Sequence, residues 1–239
     1  MNAILLSIGI WVAGTLLTVI LFFADLFLTI VLPWDKKRKA VHAQCFWWSE
    51  ALIHLNPYWS ITTSGLKNID HNKTYVIVAN HQSIADIIVL YKIRMQFKWV
   101  AKEGILKVPF LGWCLYLGKH IRLSRRNFGS IRTVYRKAAE WLRGGMSVAF
   151  FPEGTRSNTD EMNSFQNGAF KLAIKEKIPI LPVAISGTRE AIPKGDWIFK
   201  KKVAGQITVL PAIETRDFKP GDFANLRDIV RDRIKEASA

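Results

Sequence analysis

Apolar positions fall into distinct patterns along this chain, and each pattern predicts a different kind of element. Residues 3–34 are apolar almost without a break, and Asp25 is the one charge among them. A run of about 20 apolar residues is long enough to cross a bilayer, so this stretch predicts a membrane helix. Residues 40–58 mix Phe46, Trp47, Trp48, Leu52, Ile53 and Leu55 with His42, Glu50 and His54. Trp48, Leu52 and Leu55 recur at helical spacing, paired tryptophans favour the membrane interface, and Asn56-Pro57 stops the run. Three geometries fit the two segments: a spanning helix followed by an interfacial one, two helices that dip into one leaflet and return, or a helical hairpin buried in a soluble core.

From about residue 65 onward, short apolar runs alternate with amphipathic ones. Strands are expected at 75–79, 97–101, 147–151, 180–185 and 207–210, and helices at 130–143, 165–176 and 222–237. In the first of these helices Ile131, Val134, Ala138, Trp141 and Leu142 make one apolar face, and Gly144-Gly145 supplies a stop. Phe223, Leu226, Val230 and Ile234 do the same for the last, which reads as a closing surface helix. This alternation predicts an α/β fold with a mixed, largely parallel sheet flanked by helices. The chain then divides into N-terminal membrane-associating helices, 1–58, and an α/β domain, 59–239.

Charge narrows the partners. A formal net charge of +15 favours a polyanion, either nucleic acid or an anionic lipid surface. The basic residues are scattered and not interleaved with aromatic pairs, and no zinc finger or RNA-recognition motif is present, which argues against nucleic acid. Lys36-Lys37-Arg38-Lys39 directly follows the apolar run, where it suits anionic headgroups and places the rest of the chain on the cytoplasmic face. The apolar run has no basic start and no small-residue cleavage site, so it is expected to stay attached. Cys45 and Cys114 offer neither a disulfide framework nor metal spacing, consistent with a reduced, cytoplasm-facing protein. The five histidines form no metal set, and His120 is expected at the surface.

Candidate chemistry begins where the 75–79 strand ends. Asn80-His81 is followed by Gln82-Ser83-Ile84-Ala85-Asp86, with Ser83 placed to cap a helix through Ile87, Ile88 and Leu90. A neutral imidazole is a natural general base near neutral pH, and a carboxylate on its other nitrogen would fix the tautomer. Five positions lie about 140° apart on a regular helix, so His81 and Asp86 meet only if His81 sits in the turn before it. Against this stands a capping box, in which Asp86 only complements the helix start. The loop 151–157, Phe-Pro-Glu-Gly-Thr-Arg-Ser, also follows a strand: Arg156 suits a bidentate phosphate grip, Gly154 allows close approach, and Glu153 suits a polyol. Its plain alternative is an ordinary turn with a surface ion pair. Lys102, Lys119, Arg122, Arg125 and Arg126 lie near these loops, and one or two of them would complete an anion pocket. The 151–157 loop is not a Walker loop, since Gly-Lys-Ser/Thr is missing, and there is no Gly-x-Ser-x-Gly elbow, which argues against a covalent serine hydrolase.

Taken together these motifs resemble the glycerolipid acyltransferases, in particular the 1-acylglycerol-3-phosphate (lysophosphatidic acid) acyltransferases. Asn80-His81 through Asp86 resembles their Asn-His-x4-Asp motif, Phe151 through Ser157 their second hallmark, and Pro179-Ile-Leu-Pro182-Val183 their later proline-containing strand. Lys102 stands where such proteins often carry lysine. The likeness covers roughly residues 65–211, with the two hydrophobic N-terminal helices familiar from bacterial members. One departure is the stretch after Gly118, where an Ile-Asp-Arg type sequence is replaced by Ile121-Arg122-Leu123-Ser124-Arg125; Arg125 is the preferred counterpart and Arg122 its rival. The resemblance implies acyl transfer from acyl-CoA or acyl carrier protein to the sn-2 hydroxyl of lysophosphatidate, giving phosphatidate at a membrane, with no cofactor or metal. It implies His81 as base, Asp86 as its orienter, and Lys102, Arg125, Glu153, Gly154, Thr155 and Arg156 as substrate-binding residues. Another lysophospholipid or a lyso-aminolipid is the alternative acceptor, and a non-enzymatic lipid-binding protein the remote one.

Overall fold

The computed structural model describes residues 3–123, 128–157, 161–192, 197–199 and 202–238. Its elements are α1 (Ala3–Val31), α2 (Lys39–Leu55), β1 (Trp59–Ser64), β2 (Val76–Ala79), α3 (Ala85–Val89), β3 (Phe97–Lys102), α4 (Leu111–Leu117) and β4 (Ile121–Leu123), then α5 (Phe128–Arg143), β5 (Ser147–Phe150), α6 (Gly168–Glu176), β6 (Ile180–Ser186), β7 (Val203–Val209) and α7 (Phe223–Ser238). Among the described residues the strands form one sheet in the order β1-β7-β6-β2-β5-β3-β4. Every pairing is parallel except β6 with β7, as expected for a mixed, largely parallel sheet.

The central strands are buried on both faces, which is why they read as unbroken apolar runs. Val76 and Val78 of β2 point into a core completed by Val134, Ala138 and Leu142 of α5, Phe170 and Ala173 of α6, and Leu226, Val230 and Ile234 of α7. Ile77 and Ala79 point the other way, into a core shared with Leu21 of α1, Cys45, Trp48 and Ile53 of α2, and Phe97 and Trp99 of β3. Each fully buried Val, Leu, Ile or Phe contributes about 1.5–3 kcal/mol by leaving water, so the two N-terminal helices are held to the sheet by a real core.

Three elements were not foreseen. β1 is Ser- and Thr-rich and its burial alternates between half-buried and exposed, so it shows no hydrophobic run. β4 has only three residues and α4 only seven. β7 begins at Val203, well before the expected 207, because it pairs with β1 from Trp59 onward. The helix after His81 is also shorter than expected: α3 stops at Val89, and a 3-10 turn takes over Leu90–Ile93.

The first helix is not buried as in the hairpin of a soluble core, although α2 packs into the domain. In α1 only Ser7, Leu21 and Asp25 are buried, while Leu5, Leu16, Phe23, Phe27 and Ile30 are each more than half exposed. The helix is long and apolar enough to cross a membrane. Trp48, expected at an interface, is instead inside the hairpin, with its indole Nε1 donating to Thr18 Oγ1 at 3.2 Å. His120 is likewise not a surface residue: it is half-buried, and its Nδ1 accepts the backbone N–H of Trp99 at 2.9 Å. One lysine of the basic surplus is internal. Lys98 of β3 is fully buried and its Nζ donates to the carbonyls of Lys37 (2.8 Å) and Gly118 (2.7 Å), fastening the basic turn after α1 onto the sheet.

Candidate active site

Because β2, β3, β5 and β6 run parallel, their C-terminal ends share one edge of the sheet, the usual ligand position in such folds. Asn80, His81 and Gln82 leave β2 there, Lys102 closes β3, the 151–157 loop leaves β5, and Gly187-Thr188 leave β6.

His81 sits in the turn before α3, and its Nδ1 lies 2.9 Å from Asp86 Oδ2. The same oxygen accepts the backbone N–H groups of Gln82 (2.6 Å) and Ser83 (2.8 Å). Asp86 therefore completes the helix start and meets the imidazole at once, so the two readings of the motif are compatible. Asp86 is fully buried, and its other oxygen, Oδ1, accepts the Thr188 hydroxyl at 2.5 Å. A carboxylate so surrounded by donors is an acceptor toward His81, which places the ring proton on Nδ1 and leaves Nε2 as the basic nitrogen. Phe151 stacks on the imidazole, with centroids 4.1 Å apart and planes 13° from parallel, and Trp99 stacks behind Phe151.

The backbone beneath this pair is braced from three sides. Asn80 makes a two-way bridge to Ile185, donating from Nδ2 to its carbonyl and accepting its N–H at Oδ1, each at 2.8 Å. The carbonyl of His81 accepts the N–H of Ser157 at 3.0 Å. Glu153 accepts the N–H of His81 on Oε1 (2.6 Å) and the N–H of Asn163 on Oε2 (3.0 Å). Glu153 is buried, and burial pushes its carboxyl above the ordinary value while the two amides pull it back. Its carboxylate thus ties two loops together and stays out of the main cavity. On β6, Gly187 has φ +71°, and a Cβ there would stand 2.0 Å from the carbonyl oxygen of Ala204. Only glycine fits this turn, which delivers Thr188 to Asp86.

His81 lines a cavity of about 790 Å³. Lys102, Gly154, Thr155 and Arg156 line the same cavity, so four of the expected binding residues come together with His81. Arg125 lies outside the described residues, and its rival Arg122 pairs with Glu103. The rest of the lining is largely apolar, including Ile87, Leu115, Leu123, Val134 and Phe150, with Tyr135 on α5. Cations and apolar side chains lining one cavity suit an amphiphile with an anionic head. Among the described residues, no three His, Cys, Asp or Glu side chains gather as a metal site.

The sequence pairs His81 with Asp86, and the structure brings the two into contact, but the sequence does not signal the supporting contacts of Asn80, Phe151 and Thr188. Asn80 had a local signal, directly preceding the histidine at a strand end. Thr188 had none, standing 102 residues from its partner.

Known proteins resemble this chain in the same region. The family model described as Acyltransferase matches residues 60–186. The chain is 34% identical over 185 residues to the chloroplastic 1-acyl-sn-glycerol-3-phosphate acyltransferase of Arabidopsis thaliana, covering 77% of this chain and 51% of that protein. It is 31% identical over 175 residues to the 1-acyl-sn-glycerol-3-phosphate acyltransferase of Borreliella burgdorferi, covering 73% of this chain and 70% of that one. The crystal structure of the 1-acyl-sn-glycerophosphate acyltransferase PlsC from Thermotoga maritima superposes with a TM-score of 0.81 at 25% identity, covering 99% of this chain and 94% of that one. The chain spans about half the length of the plastid relatives it matches. With the family model covering more than half of its residues and the His81–Asp86 pair at the sheet edge, the chain belongs to the acyltransferase family.

Proposed function

We propose that this protein transfers an acyl group from a thioester, acyl-CoA or acyl carrier protein, to the free sn-2 hydroxyl of 1-acylglycerol 3-phosphate, forming phosphatidate. The observation that carries this reading is one cavity lined by His81, by the cations Lys102 and Arg156, and by apolar side chains. Relatives in bacteria, plastids and animals bear the name of that activity.

In this reading the acceptor hydroxyl gives its proton to His81 Nε2 as its oxygen attacks the thioester carbonyl. Asp86, fixed by Thr188 and two amides, stabilises the imidazolium so formed. The C–S bond of the tetrahedral intermediate then breaks, and the imidazolium returns the proton to the departing sulfur. No enzyme nucleophile is needed for this direct displacement. Arg156 and Lys102 hold the phosphate, with Arg125 as a further cation, and Gly154 and Thr155 let the backbone of the loop approach the head group. Glu153 acts by holding the His81 loop. The apolar chamber takes an acyl chain.

Membrane association follows from the exposed apolar face of α1, and the basic turn at Lys36–Lys39 suits an anionic surface on the cytoplasmic side. The test is purified full-length protein with acyl-CoA or acyl carrier protein against a panel of lysolipids in vesicles. Phosphatidate formation from lysophosphatidate at the highest kcat/KM supports the reading. Preference for a neutral or amino lysolipid would move the acceptor assignment, and transfer to none of them would overturn it.

A further inference from the structure

We propose that the limb from Gly104 to Leu117 is a second membrane-contacting edge of the protein, built into the α/β domain, along which the lysolipid acceptor passes from the leaflet into the His81 cavity. This rests on the proposed function in taking the acceptor to be a membrane lysolipid.

The limb turns apolar side chains outward. Val108 is 45% exposed, Trp113 47% and Tyr116 81%. Exposed apolar groups clustered on one short segment mark a contact surface. Phe22 of α1 joins this cluster to the membrane helix: its ring lies 5.6 Å from that of Phe110 and 5.3 Å from that of Trp113. Phe23, 5.3 Å from Phe22 and 58% exposed, continues the same surface along α1. The apolar face of the limb is therefore one sheet of surface with a helix that suits hydrocarbon, and lipid is the occupant that covers both. Phe110 holds φ +60°, a strained conformation for a bulky residue, and its ring packs against both Phe22 and Trp113, which also touch each other.

Charge fits the same occupant. Lys107 within the limb and Lys119 just beyond it are exposed, and Lys119 Nζ donates to the carbonyl of Lys36, which is itself exposed in the basic turn. Cations bordering an apolar patch are placed for phosphate headgroups. The inner side of the limb faces the chemistry. Gly104, Ile105 and Leu115 line the cavity with His81 and Lys102, so one short segment separates the proposed lipid surface from the reacting groups.

Full-length Tyr116→Cys protein carrying an environment-sensitive fluorophore, mixed with vesicles of neutral and anionic phospholipid containing spin-labelled acyl chains, reads the contact directly. Quenching of the label is expected. A label that stays in water on these vesicles overturns the proposal, including the case where it is shielded only by a protein from native membranes. Full-length Val108→Asp/Tyr116→Asp protein reads the route. With α1 intact it should still bind vesicles, and its KM for lysophosphatidate in vesicles should rise about tenfold while kinetics on a short-chain, water-soluble lysophosphatidate stay within about twofold. Equal losses on both acceptors, or no loss on either, overturn the route. If the wild type acylates neither acceptor, the proposed function fails, and label quenching still decides whether the limb meets lipid.

Discussion

The Thr188 hydroxyl donates to Asp86 Oδ1 at 2.5 Å, joining the end of β6 to the turn after β2. Asp86 is thereby fixed on both oxygens, one by Thr188 and the other by His81 and two backbone amides. The imidazole can swing only if this carboxylate moves with it. Thr188 thus positions His81 at one remove, and it does so from a turn that Gly187 alone permits.

Thr188→Val keeps the shape and removes the donor, leaving a buried carboxylate oxygen without its partner. The loss of one such bond to a charged group costs about 1.5–3 kcal/mol of stability, and an imidazole no longer held in register should separately lower kcat by roughly tenfold or more. KM for the lysolipid should be unchanged, since Thr188 does not line the cavity. Thr188→Ser should recover most of the rate. Steady-state kinetics of the two variants check this, and a fall in KM-dependent binding with normal kcat would point elsewhere.

Glu153→Gln tests the loop bracket. A glutamine offers one carbonyl oxygen where the glutamate accepts from both His81 N–H and Asn163 N–H. One buried amide then faces an NH2 group, at a cost of about 1–3 kcal/mol. Thermal unfolding of the variant should shift down and acyl transfer should fall with it, because the His81 backbone is what the bracket holds. A variant with unchanged stability and a raised KM for the glycerol part alone would instead make Glu153 a direct substrate ligand.

His42 gives a prediction in pH. Its ring is fully buried against Phe46, Tyr91 and Phe97, neither ring nitrogen has a hydrogen-bond partner, and burial lowers its pKa to about 3. The unfolded chain takes up a proton near the ordinary value of 6.5, whereas the folded chain does so only near 3. Stability from this residue is therefore present above about 6.5 and lost as pH falls toward about 3. His42→Phe should be more stable at neutral pH and should unfold at lower pH than the wild type. Denaturant titrations at several pH values read both effects.

Much of the fold was legible because the parallel strands are buried on both faces and announce themselves as apolar runs: β2, β3, β5 and β6 fall within a residue or two of where they were expected. β1 escaped because its Thr and Ser residues pair with β7 at the sheet edge and need no apolar pattern. The candidate site was legible where its residues lie in local sequence motifs, as in His81, Asp86 and the 151–157 loop, which the structure brings to one edge of the sheet. Its support was not, because Thr188 and Ile185 reach it through β6 and their side chain and backbone contacts have no sequence signature. Glu153 shows the opposite limit: a carboxylate in a ligand-like loop read as a substrate group, whereas tertiary contact turns both of its oxygens onto backbone amides. Trp48 is similar, since composition suggested the interface and the α1–α2 contact buried it.

The most direct test is acyl transfer by His81→Ala protein, purified at full length and shown by its unfolding curve and vesicle binding to be folded and membrane-bound. Loss of a positioned general base lowers turnover by about 10²–10⁴-fold, so phosphatidate formation from lysophosphatidate should fall by at least about a hundredfold. Turnover within a few-fold of the wild type would contradict the role assigned to His81 and, with it, the mechanism.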